Sequence, residues 1–423
     1  MSLALSCLMS ALIFLMVRGR KGDDVHAIIS MLAIVFLLIG WGNLILFRQL
    51  VSSIVDPLAV SVWQYDDPAL ALNIFSIATF ALAAGSFLSS FLLGSISERI
   101  DFKVGSALVK FSATTLTALL IFGFALELLF IFSYGFSNLI SRHAYQPTYA
   151  IPALAPYTSL FLLPGAALFA FISSTTRGMK KTLSMLGYLV SLVIAFSTAS
   201  RLIGLIAILY IGVKFFISRK FSISGAAAAA VIAVYGSALA LSDRSGASSA
   251  HGLFPYLENV FSSGLPDLSL VGFDLVQNLL FSAPLAVYAE KSGVFDWNSF
   301  WVSLSPLPNS NQDWALIAPQ LRAHAFIPFN ALGEIYSLSP VVLTLCLALI
   351  GFVSHRLVSW FALRGSIAFA SSLLALFGFT LVLFLQYNTR SAIRVFYALV
   401  VAGFLLRNYH RADKQVMSGN RIF

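Results

Sequence analysis

Apolar runs close to the length of a membrane-spanning helix recur along the 423-residue chain and limit the folds open to it. A helix needs about 20 mostly apolar residues to cross the hydrocarbon core of a bilayer. Only 10% of the residues are charged and 59% are apolar, whereas soluble domains are about 25% charged. The runs therefore predict an all-α polytopic membrane protein.

Eleven apolar segments predict about eleven transmembrane helices, at 2–17, 27–47, 69–94, 107–133, 156–174, 182–198, 202–217, 222–241, 341–354, 366–386 and 395–406. The chain then divides into three parts. Residues 1–241 carry helices 1–8 with short loops, and residues 242–340 form one long, partly helical loop. Residues 341–423 carry helices 9–11 and a C-terminal tail.

The basic residues orient these helices. Of the lysines and arginines in loops, sixteen fall on one side of the alternation and eight on the other. Cytoplasmic loops are enriched in basic residues, so we expect the N-terminus and the long loop outside and the C-terminus inside. The net charge of +9 then reflects topology, and no nucleic-acid partner is expected.

Seven of the eight basic residues on the outer side are arginines. The guanidinium group offers a rigid fork that grips phosphate through two parallel hydrogen bonds. Arg201 stands alone in a short turn, and Arg390 and Arg394 are four residues apart, so that they would share one helix face. Contact with lipid headgroups explains outer arginines equally well, and both interpretations stay open.

The stretch 312–340, which closes the long loop, holds Arg322, His324 and Glu334. Arg322 and His324 are two residues apart, so they share a face in an extended segment but not in a helix. Histidine has an ordinary pKa of about 6.5 and suits proton transfer near neutral pH, although an interfacial histidine is an equal alternative. We predict helices at 267–282 and at 312–325 within the loop.

Aromatic side chains accompany these charges, notably Trp297, Trp301 and Tyr336. Their rings could pack on sugars or anchor the chain at the membrane interface. His143, beside Arg142, is a further candidate, whereas His251 is interpreted as a solvated loop residue. Glu127 lies in an apolar span, where an ionisable residue is either functional or paired with a neighbouring helix.

Motifs for nucleotide or metal chemistry are missing from the sequence. There is no glycine-rich phosphate loop, Ser-His-Asp arrangement, Asp-x-Asp pair or histidine cluster. The two cysteines, Cys7 and Cys346, lie in apolar segments and indicate no disulfide framework. This argues against an ATPase, a zinc peptidase and a soluble-type nucleotide-sugar transferase, and we expect no cofactor and no metal.

Three stretches carry a family resemblance: STASRLIGLIAIL; WNSFWVSLSPLP followed by PFNALGEIYSLSP; and NTRSAIRVF. With them, the chain resembles the Wzy-type O-antigen or oligosaccharide repeat-unit polymerases. These are multi-pass proteins of the bacterial inner membrane, related in type to O-antigen ligases. Their architecture is similar to that of membrane-embedded lipid-sugar glycosyltransferases, and the hydropathy plan extends the resemblance over the whole chain.

The resemblance implies a metal-independent glycosyltransferase that joins undecaprenyl-diphosphate-linked oligosaccharide units on the periplasmic face. From their outer position and their chemistry, we predict catalytic roles for Arg322, His324, Glu334 and Arg201, with His324 as base and Glu334 as orienting group. Substrate binding would fall to Arg390, Arg394, Arg142, His143, Trp297, Trp301 and Tyr336. The expected partners are this lipid-linked substrate, membrane lipids and a chain-length regulator protein. The alternatives are an O-antigen ligase acting on lipid A core and a lipid-linked oligosaccharide flippase or transporter.

Overall fold

The computed structural model describes residues 24–53, 67–92, 113–143, 148–152, 154, 158–198, 250–263, 280–306, 314–324, 327–362, 367–401, 403 and 404, with scattered helical positions between 203 and 236. These residues are almost entirely helical. The only strands in this part of the chain form one two-stranded antiparallel hairpin.

The helices in chain order are α1 (Asp24–Ser53), α2 (Pro68–Leu92), α3 (Ala113–Tyr134), α4 (Phe136–Ile140), α5 (Thr158–Thr175), α6 (Met179–Ser197), α7 (Leu253–Ser263), α8 (Ser282–Ser292), α9 (Trp297–Leu304), α10 (Trp314–Ile317), α11 (Ala331–Leu338), α12 (Pro340–Ala362) and α13 (Ile367–Gln386). The hairpin strands are β1 (Arg322–His324) and β2 (Ile327–Pro328). A final helix, α14, runs through 389–401.

Within the described ranges, five helices are long and apolar enough to cross a membrane: Val25–Leu46, Pro68–Leu92, Ala113–Tyr134, Met179–Ser197 and Pro340–Ala362. They coincide with five of the predicted spans and confirm an all-α, multi-pass membrane protein. Two shorter apolar helices, Phe161–Thr175 and Leu376–Gln386, match two more. The predicted first span, at 2–17, lies outside the described residues.

Two compact units make up the chain, one from Met1–Val104 with Gln277–Phe423 and the other from Gly105–Val276. In the first, α1 runs antiparallel to α2, because His26 meets Ser86 while Gly40 lies against Phe75. Helix α12 runs parallel to α2, since Asn73 early in α2 meets Tyr336, just before α12, and Ser89 late in α2 meets His355 late in α12.

Glycines bring α2 and α12 to close approach. A Cβ atom on Gly85 would lie 1.9 Å from the carbonyl oxygen of Ala348, and one on Gly351 would lie 2.3 Å from that of Leu82. Small residues allow such backbone contact between membrane helices, where packing rather than the hydrophobic effect drives association. Fully buried His355 adds a hydrogen bond to Ser89 at 3.0 Å.

The Gly351→Ala variant is expected to destabilise this unit, because its methyl group must push α2 and α12 apart. Overpacking of this kind costs typically about 1–3 kcal/mol. The control is Gly378→Ala in α13, where a Cβ atom meets nothing within 4 Å. Thermal unfolding in detergent should show a lower midpoint for Gly351→Ala and an unchanged or higher one for Gly378→Ala. Equal midpoints would contradict the close approach.

The second unit packs α3, α5 and α6 around Phe169, which is fully buried. Gly123 of α3 and Gly187 of α6 face its ring, and added Cβ atoms would lie 3.0 and 2.6 Å from it. Glu127 of α3 is buried and accepts a hydrogen bond from the Ser191 hydroxyl of α6. This hydrogen bond favours the interpretation in which Glu127 pairs with a neighbouring helix.

Two local predictions are wrong. Of the helix predicted over 312–325, only α10 is helical among the described residues. The helix ends before Pro319 because proline lacks the N–H group that would continue the helical hydrogen bonds. Residues 322–324 are instead a strand. Residues 355–362, expected in an inner loop, continue α12, because His355, Val358 and Phe361 are buried on one face of the helix.

Candidate functional site

The end of the long loop meets the start of the last helix at a buried carboxylate. Glu334 of α11 has no exposed surface, and its Oε2 atom accepts a hydrogen bond of 2.7 Å from the backbone N–H of Thr389. Thr389 is the first residue of α14, where backbone N–H groups lack partners within the helix. The carboxylate therefore sits where the helix dipole favours a negative charge.

Burial nevertheless raises the pKa of Glu334 to about 7, because removing the carboxylate from water outweighs the hydrogen bonding to Thr389. Glu334 thus changes its protonation state near neutral pH. Both the backbone N–H and the side chain of Thr389 hydrogen-bond this carboxylate and partly offset the effect of burial on its pKa. Glu334 and Thr389 are therefore joined through main chain and side chain inside the first unit.

Asn330 ties this junction together and is fully buried. Its side-chain oxygen caps α11 by accepting from the N–H groups of Leu332 and Gly333. Its amide nitrogen donates to the carbonyl oxygens of Ser282 in α8 and Leu385 in α13. One side chain therefore fixes the start of α11 against two other helices, and so fixes the position of Glu334.

Arg390 follows Thr389 and is also buried, with 2% of its surface exposed. Its Nη1 atom donates to the carbonyl oxygen of Val302, in the last turn of α9. The guanidinium carbon lies 4.8 Å from the centre of the Trp314 ring, a cation–π contact. Burial, then the charge of Arg394, lowers the pKa of Arg390 to about 10, so the group stays cationic at neutral pH.

The other cations of this unit differ in exposure. Arg394 lies one turn further along α14, as its spacing from Arg390 predicted, and is half-buried. Arg322 is exposed in β1, opposite Pro328 of β2. His324 lies in the same strand, so both residues have the extended backbone in which alternate residues share a face. The side chain of His324 is outside the described part of the structure. Arg322 and Arg394 are thus more open to a ligand than Arg390.

The aromatic candidates also lie in the first unit. Trp297 and Trp301 lie one turn apart on α9 and are 52% and 63% exposed, and each packs edge-on against buried Phe300. The side chain of Asp296 caps this helix by accepting from the N–H of Ser299. Tyr336 of α11 is half-buried and accepts a hydrogen bond of 3.1 Å from the Asn73 amide.

Arg142 belongs to the second unit, where it has a structural role. It is buried, and its Nη1 atom donates to the carbonyl oxygens of Asn138 and Ser197, at the ends of α4 and α6. Its backbone pairs with that of His251 through two hydrogen bonds of 2.7 Å. His143 is exposed, and Arg201 lies outside the described residues.

The expectation that His251 is solvated is wrong. The residue is 6% exposed, and its Nδ1 atom lies 3.1 Å from the Tyr256 hydroxyl. Loss of hydration, then the nearby charge of Arg142, lowers the pKa of His251. The backbone pairing that buries it joins residues 109 positions apart (251 − 142), and no local pattern predicts such a pairing.

Asn330, Thr389 and Trp314 were not among the predicted site residues. A signal for Asn330 was present, because an asparagine directly before a helical segment is a preferred N-cap. Asn388 gives the same signal before α14 and accepts from the N–H of Ser391 at 3.1 Å. The roles of Thr389 and Trp314 arise only from contacts with distant segments. Within the described ranges, no group of three or more His, Cys, Asp or Glu residues is placed to hold a metal ion.

The assignment of a function rests on this geometry and on the sequence, because no protein-family model, no curated protein and no solved structure matches the chain.

Proposed function

We propose that this protein polymerises undecaprenyl-diphosphate-linked oligosaccharide units into a surface polysaccharide on the periplasmic face of the bacterial inner membrane. One observation carries the proposal: the buried carboxylate of Glu334 meets the start of α14, and the arginines and exposed tryptophans of the long loop and α14 belong to the same compact unit. Cations suit the diphosphate of such a substrate, and aromatic rings suit its sugars.

The arginines divide into two roles under this proposal. Exposed Arg322 and half-buried Arg394 offer their guanidinium groups to the diphosphate. Buried Arg390 is committed to Val302 and Trp314 and positions the start of α14. A cation at the C-terminal end of α9 also complements the dipole of that helix. Arg201, Arg142 and His143 stay predictions for the same substrate.

The reaction itself needs charge stabilisation more than a strong electrophile. The bond between the anomeric carbon and the lipid diphosphate breaks, and the electron pair leaves with the diphosphate. A hydroxyl of the next unit forms the new bond and loses its proton. Preorganised cations lower the barrier most where charge develops in the transition state, and arginines do this without a metal.

The experiment that tests the proposal is gel analysis of surface glycan from a strain that lacks the gene. Loss of a polymerase leaves single-unit glycan on its acceptor, and the complementing gene restores long chains. A strain without any transferred glycan would indicate a ligase instead. Accumulation of units on the inner face would indicate a flippase, and either result would reject the proposed function.

The proposed topology has eleven spans, with the N-terminus outside and the C-terminus inside. It follows from the alternation of basic loops and is supported by the five long apolar helices. Reporter fusions after Arg177, Glu290 and Asp413 are expected to read inside, outside and inside. An outside reading at Asp413 would mean that a span is miscounted.

A further inference from the structure

The two exposed tryptophans of α9 form one side of a helix that has three distinct sides. Successive residues of a helix are turned by about 100°, so Trp297 and Trp301 lie about 40° apart around its axis. Phe300 and Ser303 are buried and face the core of the first unit. Exposed Asn298 lies about 80° from the tryptophan pair, on a polar side of the helix. Helix α9 thus has a core side, a polar side and a third side made of two large indole rings.

The N-terminal end of α9 lies beside the start of a membrane-spanning helix. The carbonyl oxygen of Phe295, just before α9, lies 3.5 Å from the Ser337 hydroxyl, shortly before α12 begins. Helix α12 has 23 residues and is about 35 Å long, little more than the hydrocarbon core of about 30 Å. Its exposed apolar stripe starts in the first turn, at Val341 and Leu345. This end of α9 therefore lies close to the boundary of the hydrocarbon core.

The C-terminal end of α9 is held by α14. The Tyr397 hydroxyl donates a hydrogen bond of 2.5 Å to the carbonyl oxygen of Leu304, and Arg390 donates to that of Val302. Tyr397 lies about two turns into α14, within the apolar segment 395–406. Because α14 begins beside α11, it starts at the same end of the unit as α12. Both ends of α9 thus lie at the level where apolar helices begin.

We infer that α9 lies in the membrane interface and inserts Trp297 and Trp301 among phospholipid headgroups. Tryptophan is enriched at this level, because its ring is apolar while its N–H donates a hydrogen bond to polar groups. Helices of this kind bury their apolar face about 5–10 Å into the boundary between headgroups and acyl chains. The lipid lies against the side of α9 that neither the core nor Asn298 occupies.

This lipid contact does not depend on the proposed function, and it assigns the two rings to lipid rather than to sugars. Of the aromatic candidates, Tyr336 is then left for sugar contact. The contact also bears on the arginines, because Arg390 holds the start of α14 against the last turn of α9. It places the junction of Glu334 and Thr389 near the level of the headgroups, where the diphosphate of a lipid-linked molecule lies.

The test is the tryptophan fluorescence of the purified protein in nanodiscs of brominated phosphatidylcholine. The double variant Trp297→Phe with Trp301→Phe gives, by difference from the wild type, the emission of the pair. Bromine near the headgroup should quench this emission more strongly than bromine at the ends of the acyl chains, and iodide in the water should quench it least. The emission lost in Trp314→Phe is the control, since Trp314 is buried and should be quenched less by either agent.

Four results of this experiment contradict the lipid contact. Quenching of the pair by iodide alone would place the rings in water. Strongest quenching by bromine at the chain ends would place them in the hydrocarbon core. Quenching by neither agent would mean that another protein surface covers them. Protection from iodide that appears only after a soluble oligosaccharide is added would make the pair a platform for sugars.

Labelling of single cysteines tests the same point without the double variant. In protein that carries Cys7→Ser and Cys346→Ser, the variants Trp301→Cys and Asn298→Cys report on two sides of α9. A charged thiol reagent that stays in water should label Asn298→Cys severalfold faster than Trp301→Cys in nanodiscs, which leave both membrane faces open. The two rates should become equal in denaturant. Equal rates in nanodiscs would overturn the inference.

Discussion

Arg322→Ala is expected to reduce the rate of polymerisation by about 10²–10³-fold, the usual effect of removing one preorganised donor to developing charge. Arg322 is exposed in β1, and substitutions at the surface usually change stability by less than about 0.5 kcal/mol, so the thermal midpoint should change little. The measurement is elongation of lipid-linked units by purified protein, with surface glycan length in cells as a second readout. Single-unit glycan should replace long chains.

Two variants show whether this effect belongs to the guanidinium group. Lys291→Ala removes another exposed cation of the long loop and should leave the rate close to that of the wild type. Arg322→Lys keeps the charge but replaces a two-pronged donor with a point charge, so it should restore only part of the rate. Full-length polymer from Arg322→Ala at normal protein level would remove Arg322 from the site.

Asn330→Ala is expected to give the largest loss of stability of the variants considered, about 3–7 kcal/mol in the free energy of unfolding. The loss of an N-cap costs about 1 kcal/mol. The buried carbonyl groups of Ser282 and Leu385 also lose their donor, at about 1–3 kcal/mol each. Thermal and denaturant unfolding in detergent measure the change, and Glu334-dependent activity should fall with it because α11 moves.

The control is Asn298→Ala, which removes an exposed asparagine from the first turn of α9 and should change stability by less than about 0.5 kcal/mol. Asn330→Asp separates the two roles of the amide. It keeps the capping oxygen but loses both donations to carbonyl groups, so it should be nearly as unstable as Asn330→Ala. A stable Asn330→Asp variant would mean that these donations do not hold the three helices together.

The sequence by itself determined the class of fold. The length and apolar content of a span are properties of about 20 consecutive residues, and five described helices lie where these properties placed them. It also placed Arg390 and Arg394 on one helix and pointed to an extended backbone as the arrangement in which Arg322 and His324 share a face. The helix predicted over 312–325 ran past Pro319 and was wrong, although this proline gave a local signal for the end of α10.

Only the tertiary structure decided which charged residues are buried and what they touch. Glu334 meets Thr389 across 55 residues, and Arg390 meets Val302 across 88. The raised pKa of Glu334 comes from the distant segments that bury its carboxylate, so its sequence neighbours alone could not predict it. Exposure and long-range pairing are properties of the packed chain, since they depend on which distant segments lie together, and this is why Asn330, Thr389 and Trp314 emerged as parts of the site only after folding.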